Sequence, residues 1–191
     1  MLKLTLDTNC IIDVDERRDG FEVVMALAAA HVEGRVDVAL VCSGAHERQK
    51  GGGYLESFSL FTSRVHSLGF PDLPVLPSIM YWDISFWGHG ILADEAMKAR
   101  EELIFKVMFP NVSFEWPRYA EAKGVPSTDT SSAHFQRWRN RLCDVQAFWS
   151  HDHVKRDIFV TRDIEFGRLG RHPDFADAHI LTPTQVASLL G

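Results

Sequence analysis

The order of apolar and polar positions divides the chain into two regular ends and a less regular middle. Leu2-Lys3-Leu4-Thr5-Leu6 alternates as a short strand does and runs straight into Asp7-Thr8-Asn9. Phe21, Val24, Met25, Leu27, Ala28 and Val32 then recur at helical spacing, and Gly34 stands where such a helix would stop. Val36 to Cys42 is a Val-rich apolar run that reads as a buried strand. Ser43 follows as the N-cap of a helix through Ala45-His46-Glu47-Arg48. Strand, helix, strand, helix over residues 1–50 predicts an α/β fold, three-layered α/β/α around a mostly parallel central sheet.

The middle is broken by Gly51-Gly52-Gly53, a flexible joint, and by prolines at 71, 74, 77, 110 and 117. Within it, Leu92 to Met108 predicts a helix whose apolar stripe is Leu92, Ala96, Leu103, Ile104, Val107 and Met108. Residues 125–132 read as an exposed loop. Regularity returns with a helix over His134 to Trp149 and strands over Asp157 to Thr161 and Ala178 to Thr182. Pro183 opens a last helix at the position where helices favour proline. The expectation is one domain over residues 1–191, with residues 51–133 as an enlarged, partly helical insertion.

Composition narrows the class. Hydrophobic residues make up 46% and charged ones 24%, enough apolar surface for a packed core and too much for a disordered chain. A formal charge of −6 excludes a polycation that coats nucleic acid over its whole surface, and leaves local basic patches open. Cys10, Cys42 and Cys143 are odd in number and widely spaced. They suggest buried thiols in a reducing compartment rather than a disulfide framework or zinc ribbon. Asp7 arrives too early for a signal-peptide core, and no apolar run approaches the ~20 residues that a bilayer requires. The expectation is a cytoplasmic protein with no membrane partner.

Candidate chemistry lies where carboxylates meet strand ends, because active groups of an open parallel sheet gather beyond the carboxyl ends of its strands. Asp7 ends the first strand, and Glu47 lies about one turn into the helix after the second. Asp163 closes Thr161-Arg162-Asp163 after the strand at 157–161. Asp144 sits on the helix feeding that strand, among Leu142, Val145 and Phe148. Carboxylates gathered without matching cations repel one another, and a hard dication such as Mg²⁺ or Mn²⁺ resolves the conflict through oxygen ligands. Such a site suits phosphodiester hydrolysis. Each acid also has an ordinary structural role open to it. Asp7 could cap a turn, Glu47 could be an exposed helix acid, Asp144 could pair with Arg141, and Asp163 could be an N-cap. His151-Asp152-His153 does not suit a shared zinc, because neighbours two apart diverge on a helix and oppose on a strand.

Taken together, Leu4-Thr5-Leu6-Asp7-Thr8-Asn9 and Ser43-Gly44-Ala45-His46-Glu47 resemble the opening half of a PIN domain. Asp144, then Asp157 through Phe166, resembles its closing half, and Ile180-Leu181-Thr182-Pro183-Thr184-Gln185 is similar to its last strand and Pro-led helix. The resemblance covers roughly residues 1–50 and 134–191. It implies a Mg²⁺- or Mn²⁺-dependent ribonuclease that leaves 5′-phosphate and 3′-hydroxyl ends. Asp7, Glu47, Asp144 and Asp163 would be the metal-binding acids, and Asn9 and Thr161 polar supports. The departure is the long stretch between Glu47 and Asp144, which leaves the substrate surface and a homo-oligomer open. Small PIN proteins are often toxins, so an antitoxin partner also stays open.

The best basic surface is Gln136-Arg137-Trp138-Arg139-Asn140-Arg141 with Lys155-Arg156, Arg168 and Arg171. Cations beside an aromatic suit single-stranded RNA, and Arg137, Arg139, Arg141, Lys155 and Arg162 are the expected RNA contacts. A solvated helix face is the alternative. Two rival functions exist. A dehalogenase-like phosphatase also begins with a strand ending in Asp, but Asn9 stands where its general acid would be. A catalytically inactive PIN-like module would instead bind RNA or a protein, through aromatics such as Trp82, Phe86, Trp87 and Trp116.

Overall fold

Strands buried on both faces need near-continuous apolar sequence, which Val36–Val41 and Ile158–Val160 supply. The computed structural model describes residues 1–45, 55, 57–82 and 84–190. In chain order the strands are β1 (Leu2–Leu6), β2 (Val36–Val41), β3 (Val75–Leu76), β4 (Ser78–Ile79), β5 (Gly90–Ile91), β6 (Ile158–Val160) and β7 (His179–Leu181). Five of them form an all-parallel sheet in the order β3-β2-β1-β6-β7, and β4 and β5 pair separately. β1 lies at the centre, with Leu6 opposite Leu40 of β2 and Val160 of β6.

The helices are α1 (Thr8–Asp15), α2 (Phe21–Val32), α3 (Phe58–Ser67), α4 (Glu95–Met108), α5 (Trp116–Ala122), α6 (Ala133–His153) and α7 (Pro183–Leu190). Strand side chains alternate between faces, and this splits the core in two. Leu4, Leu6, Val38, Leu40, Ile158 and Val160 pack against Ile11, Leu27, Phe61 and Val186 of α1, α2, α3 and α7. On the other face, Phe159 and Val41 join Ile104, Phe105, Tyr119, Leu142, Phe148 and Trp149 of α4, α5 and α6. The result is the three-layer α/β/α arrangement that the alternating pattern predicts.

Three local expectations change. The helix placed from Leu92 begins instead at Glu95, because Asp94 turns its carboxylate onto the Met97 amide as an N-cap, 2.8 Å away. Leu92 is therefore 83% exposed and Ala96 is exposed as well, and the buried stripe is Glu101, Ile104, Phe105 and Met108. Residues 42–45 form a 3₁₀ turn rather than the start of an α-helix. The rest of that expected helix, with Glu47, and Gly51-Gly52-Gly53 lie outside the described residues. The whole of α1 was absent from the pattern reading. The three cysteines are buried and none is disulfide-bonded. Among the described residues, no helix is long and apolar enough to cross a membrane.

Candidate active site

β2 and β3 extend from one side of β1, and β6 and β7 from the other. The sheet order therefore reverses between β1 and β6, and the crevice beyond their carboxyl ends is where open α/β sheets hold ligands. Asp7 and the turn 161–163 meet there. Asp7 is an extended residue that caps α1, with Oδ1 accepting from the Thr8 amide at 2.7 Å. Its Oδ2 accepts from Thr161 Oγ1 at 2.7 Å and from Asn9 Nδ2 at 2.7 Å. Asn9 Nδ2 also reaches Thr161 Oγ1, at 2.9 Å, and Asn9 Oδ1 accepts the Arg162 amide at 3.3 Å. Thr161 Oγ1 accepts the Asp163 amide at 3.0 Å, while the Asp163 carboxylate caps the following turn through the Glu165 amide. One hydroxyl thus ties both acids together.

The electrostatics are those of a buried acid whose donors work against its burial. Asp7 is 5% exposed, and burial pushes its carboxyl up to about 6. The hydrogen bonds from Thr161 and Thr8 pull it back down, and the charge on Asp163 pushes it further up. Among the described residues, no Arg, Lys or His forms an ion pair with Asp7 or Asp163; Arg162 turns instead to Asp13, Nε to Oδ2 at 3.0 Å. At the same rim, Thr8 Oγ1 and Ser43 Oγ are buried without a hydrogen-bond partner among the described residues. The chain passes close here: a Cβ on Gly44 would come within 2.8 Å of Thr8 Oγ1.

Asp144 approaches from the layer above. It is half-buried and shares one face of α6 with Phe148 and His151, four and seven positions on. His151 Nδ1 lies 2.9 Å from Thr5 Oγ1, and the chain leaves α6 near the start of β1, where the Asp157 amide donates to the Lys3 carbonyl, so α6 runs antiparallel to β1. Seven residues of helix span about 10 Å, so Asp144 stands toward the carboxyl ends of the strands, on the side to which Thr5 points. The structure therefore brings Asp7, Asn9, Thr161 and Asp163 into one network and sets Asp144 on the facing helix. Glu47 lies outside the described residues. Among those described, no group of three or more His, Cys, Asp or Glu side chains is arranged to hold a metal ion.

The basic residues do not form one surface. Arg137 is exposed beside His134, and Arg141 lies over the Phe109 and Tyr119 rings with Nη1 donating to the Tyr119 hydroxyl at 3.3 Å. Arg139, two positions from each, points the other way around the helix and is 7% exposed; this corrects its expected place on the surface. Lys155, expected on one basic surface with Arg137 and Arg141, follows the C-terminus of α6 near the start of β1. There it borders a cleft of about 370 Å³ with Arg100, Asp152 and Arg156. Arg162 is near the acids but committed to Asp13. Sequence reasoning missed Thr8, Asp13 and Gly20. The Asn9–Asp13 spacing of four was the one available signal, since it places both on one face of a helix.

No protein-family model matches this chain, and no curated protein matches it.

Proposed function

We propose that this chain is a Mg²⁺- or Mn²⁺-dependent ribonuclease that hydrolyses RNA phosphodiester bonds at the crevice between β1 and β6. The observation that carries the reading is the Asp7–Thr161–Asp163 network, which holds two acids at a sheet switch point with no cation among the described residues paired to either. The donor set fits a hard dication, because Mg²⁺ sites commonly use one or two carboxylates and fill the remaining positions with water. The partnerless Thr8 and Ser43 hydroxyls add oxygens at the same rim. Asp7 and Asp163 would hold the ion, with Asp144 and Glu47 as further ligands. A bound dication would activate water for in-line attack and stabilise the leaving oxygen.

The chain's own residues supply orientation. Thr161 and Asn9 donate to Asp7 Oδ2, which keeps that oxygen ionised and fixes its rotamer, as outer partners do for metal-binding carboxylates. Arg137 and Arg141, on the N-terminal half of α6, are the cations best placed to meet RNA phosphates. The test is cleavage of single-stranded RNA by purified protein with Mn²⁺ or Mg²⁺. Loss of cleavage with chelator and in Asp7→Asn, together with 5′-phosphate product ends, is expected. Cleavage that persists in chelator, or leaves cyclic phosphates, refutes the reading.

A second reading rests on Trp82 and Trp87, which are 81% and 73% exposed and pack edge to face with centroids 5.6 Å apart. Exposed aromatics suit a binding module that does not cut. RNA binding without cleavage at any Mn²⁺ concentration would favour it. Growth arrest on expression, relieved by Asp7→Asn, would place the nuclease among toxins that need an antitoxin partner.

A further inference from the structure

We propose that Asp13 is a positioning residue that holds the Arg162 guanidinium away from the Asp7–Asp163 pair and so keeps that pair open to a divalent cation. This rests on the metal-site reading above and adds to it a device that the four acids do not include.

Arg162 stands between Thr161 and Asp163, so its charge is tethered beside the acids by the chain itself. A guanidinium forks readily onto carboxylates, and one lying across Asp7 and Asp163 would occupy the place of a dication. Its actual course is different. Nε of Arg162 lies 3.0 Å from Oδ2 of Asp13, whose side chain is 2% exposed, while the Arg162 side chain is 33% exposed. The slot is closed behind by Gly20, where φ is +84°. The backbone there favours glycine, and a Cβ would come within 2.7 Å of Arg162 Nη2 and displace the guanidinium.

The same helix face holds the backbone. Asn9 and Asp13 lie one turn apart on α1 and point the same way. Asn9 accepts the Arg162 amide and donates to Asp7, while Asp13 takes the Arg162 side chain. One turn of α1 therefore orients the acid and removes the competing cation. Asp13 Oδ1 also lies 3.9 Å from Arg18, but Arg162 is the nearer partner, and such buried pairing by itself adds little net stability.

The experiment is calorimetric titration of Mn²⁺ into the wild-type chain, Asp13→Asn, Arg162→Ala and the double variant, with thermal melts to confirm folding. Asp13→Asn is expected to weaken Mn²⁺ binding by ~10-fold or more, within the range that outer partners of metal ligands contribute. Arg162→Ala is expected to lower the melting temperature, because it leaves a buried carboxylate with only Arg18 at 3.9 Å, yet to leave Mn²⁺ affinity at the wild-type level. The double variant is expected to regain that affinity, which a merely structural Asp13 would not allow. Should Asp13→Asn fail to fold, Gly20→Ala closes the slot from the other side, and the same rescue by Arg162→Ala is expected. Wild-type affinity in Asp13→Asn, or a double variant as weak as Asp13→Asn, overturns the inference while leaving the metal site standing. Absence of Mn²⁺ binding in the wild-type chain overturns the metal-site reading itself.

Discussion

Among the described residues Asp7, Asp13 and Glu101 are buried and pushed upward by burial; Asp13 faces arginines, and the surroundings of the other two oppose each other. Asp7 sits at the open end of the sheet, accepts three hydrogen bonds, and faces a second acid. Glu101 lies on α4 with no exposed surface, among Ile104, Phe105 and Met108. The Tyr81 hydroxyl donates to it and Gln146 pulls the same way, yet burial raises it to about 7. Donors aimed at a carboxylate favour its charged form, and a second anion beside it makes a cation the natural third party. In an apolar cluster with no second charge beside it, a proton is the cheaper companion. The number of donors and the neighbouring charge, more than burial, separate an acid built to hold a ligand from an acid that belongs to the core.

The sharpest way to break this contrast is to neutralise each acid in turn. Asp7→Asn is expected to reduce Mn²⁺-dependent RNA cleavage by more than about a hundredfold, beyond what outer partners contribute, while the metal-free protein melts no lower. Thr161→Val, which removes the shared hydroxyl but keeps the shape, is expected to lose roughly 10–100-fold in activity or metal affinity. Glu101→Gln should leave cleavage untouched.

The effect of Glu101→Gln appears in stability instead. Glu101 is raised from 4.5 to about 7, so its protonated form is the one the fold accommodates. Its contribution is therefore full below about 4.5 and is lost as pH rises through about 7, a swing of up to about 3 kcal/mol. Urea unfolding at several pH values is expected to show wild-type stability falling across that window and Glu101→Gln falling less, so that it is ahead at pH 8. Smallest of all, Trp82→Ala and Trp87→Ala are expected to shift stability by no more than ~0.5 kcal/mol, as exposed positions do. A clear loss of RNA affinity in either would draw that aromatic pair into substrate binding.

Much of the frame was legible because burial leaves a periodic trace. β1, α2, β2, α6, β6, β7 and α7 follow from runs whose spacing fits one element only. α1 was hidden because Thr8–Asp15 mixes β-branched residues with Asp13, whose burial depends on an arginine about 150 positions away. The stripe on α4 was misread for a related reason: Glu101 takes an inward position that polarity rules assign to solvent, and Leu92 precedes the cap. At the site, Asp7, Asn9, Thr161 and Asp163 were visible because strand ends locate them. Arg162 was read as a contact for RNA because the sequence shows its charge and conceals its partner. Arg139 failed in the same way, since a charge run along a helix does not reveal which members turn inward.

The central claim is that Asp7 and Asp163 jointly grip a dication. A crystal of the full chain soaked in Mn²⁺ tests it directly. The account predicts an anomalous peak about 2.1 Å from a carboxylate oxygen of Asp7 and within reach of Asp163. A peak elsewhere with none at Asp7, or an Arg162 guanidinium lying across the two acids, would contradict it.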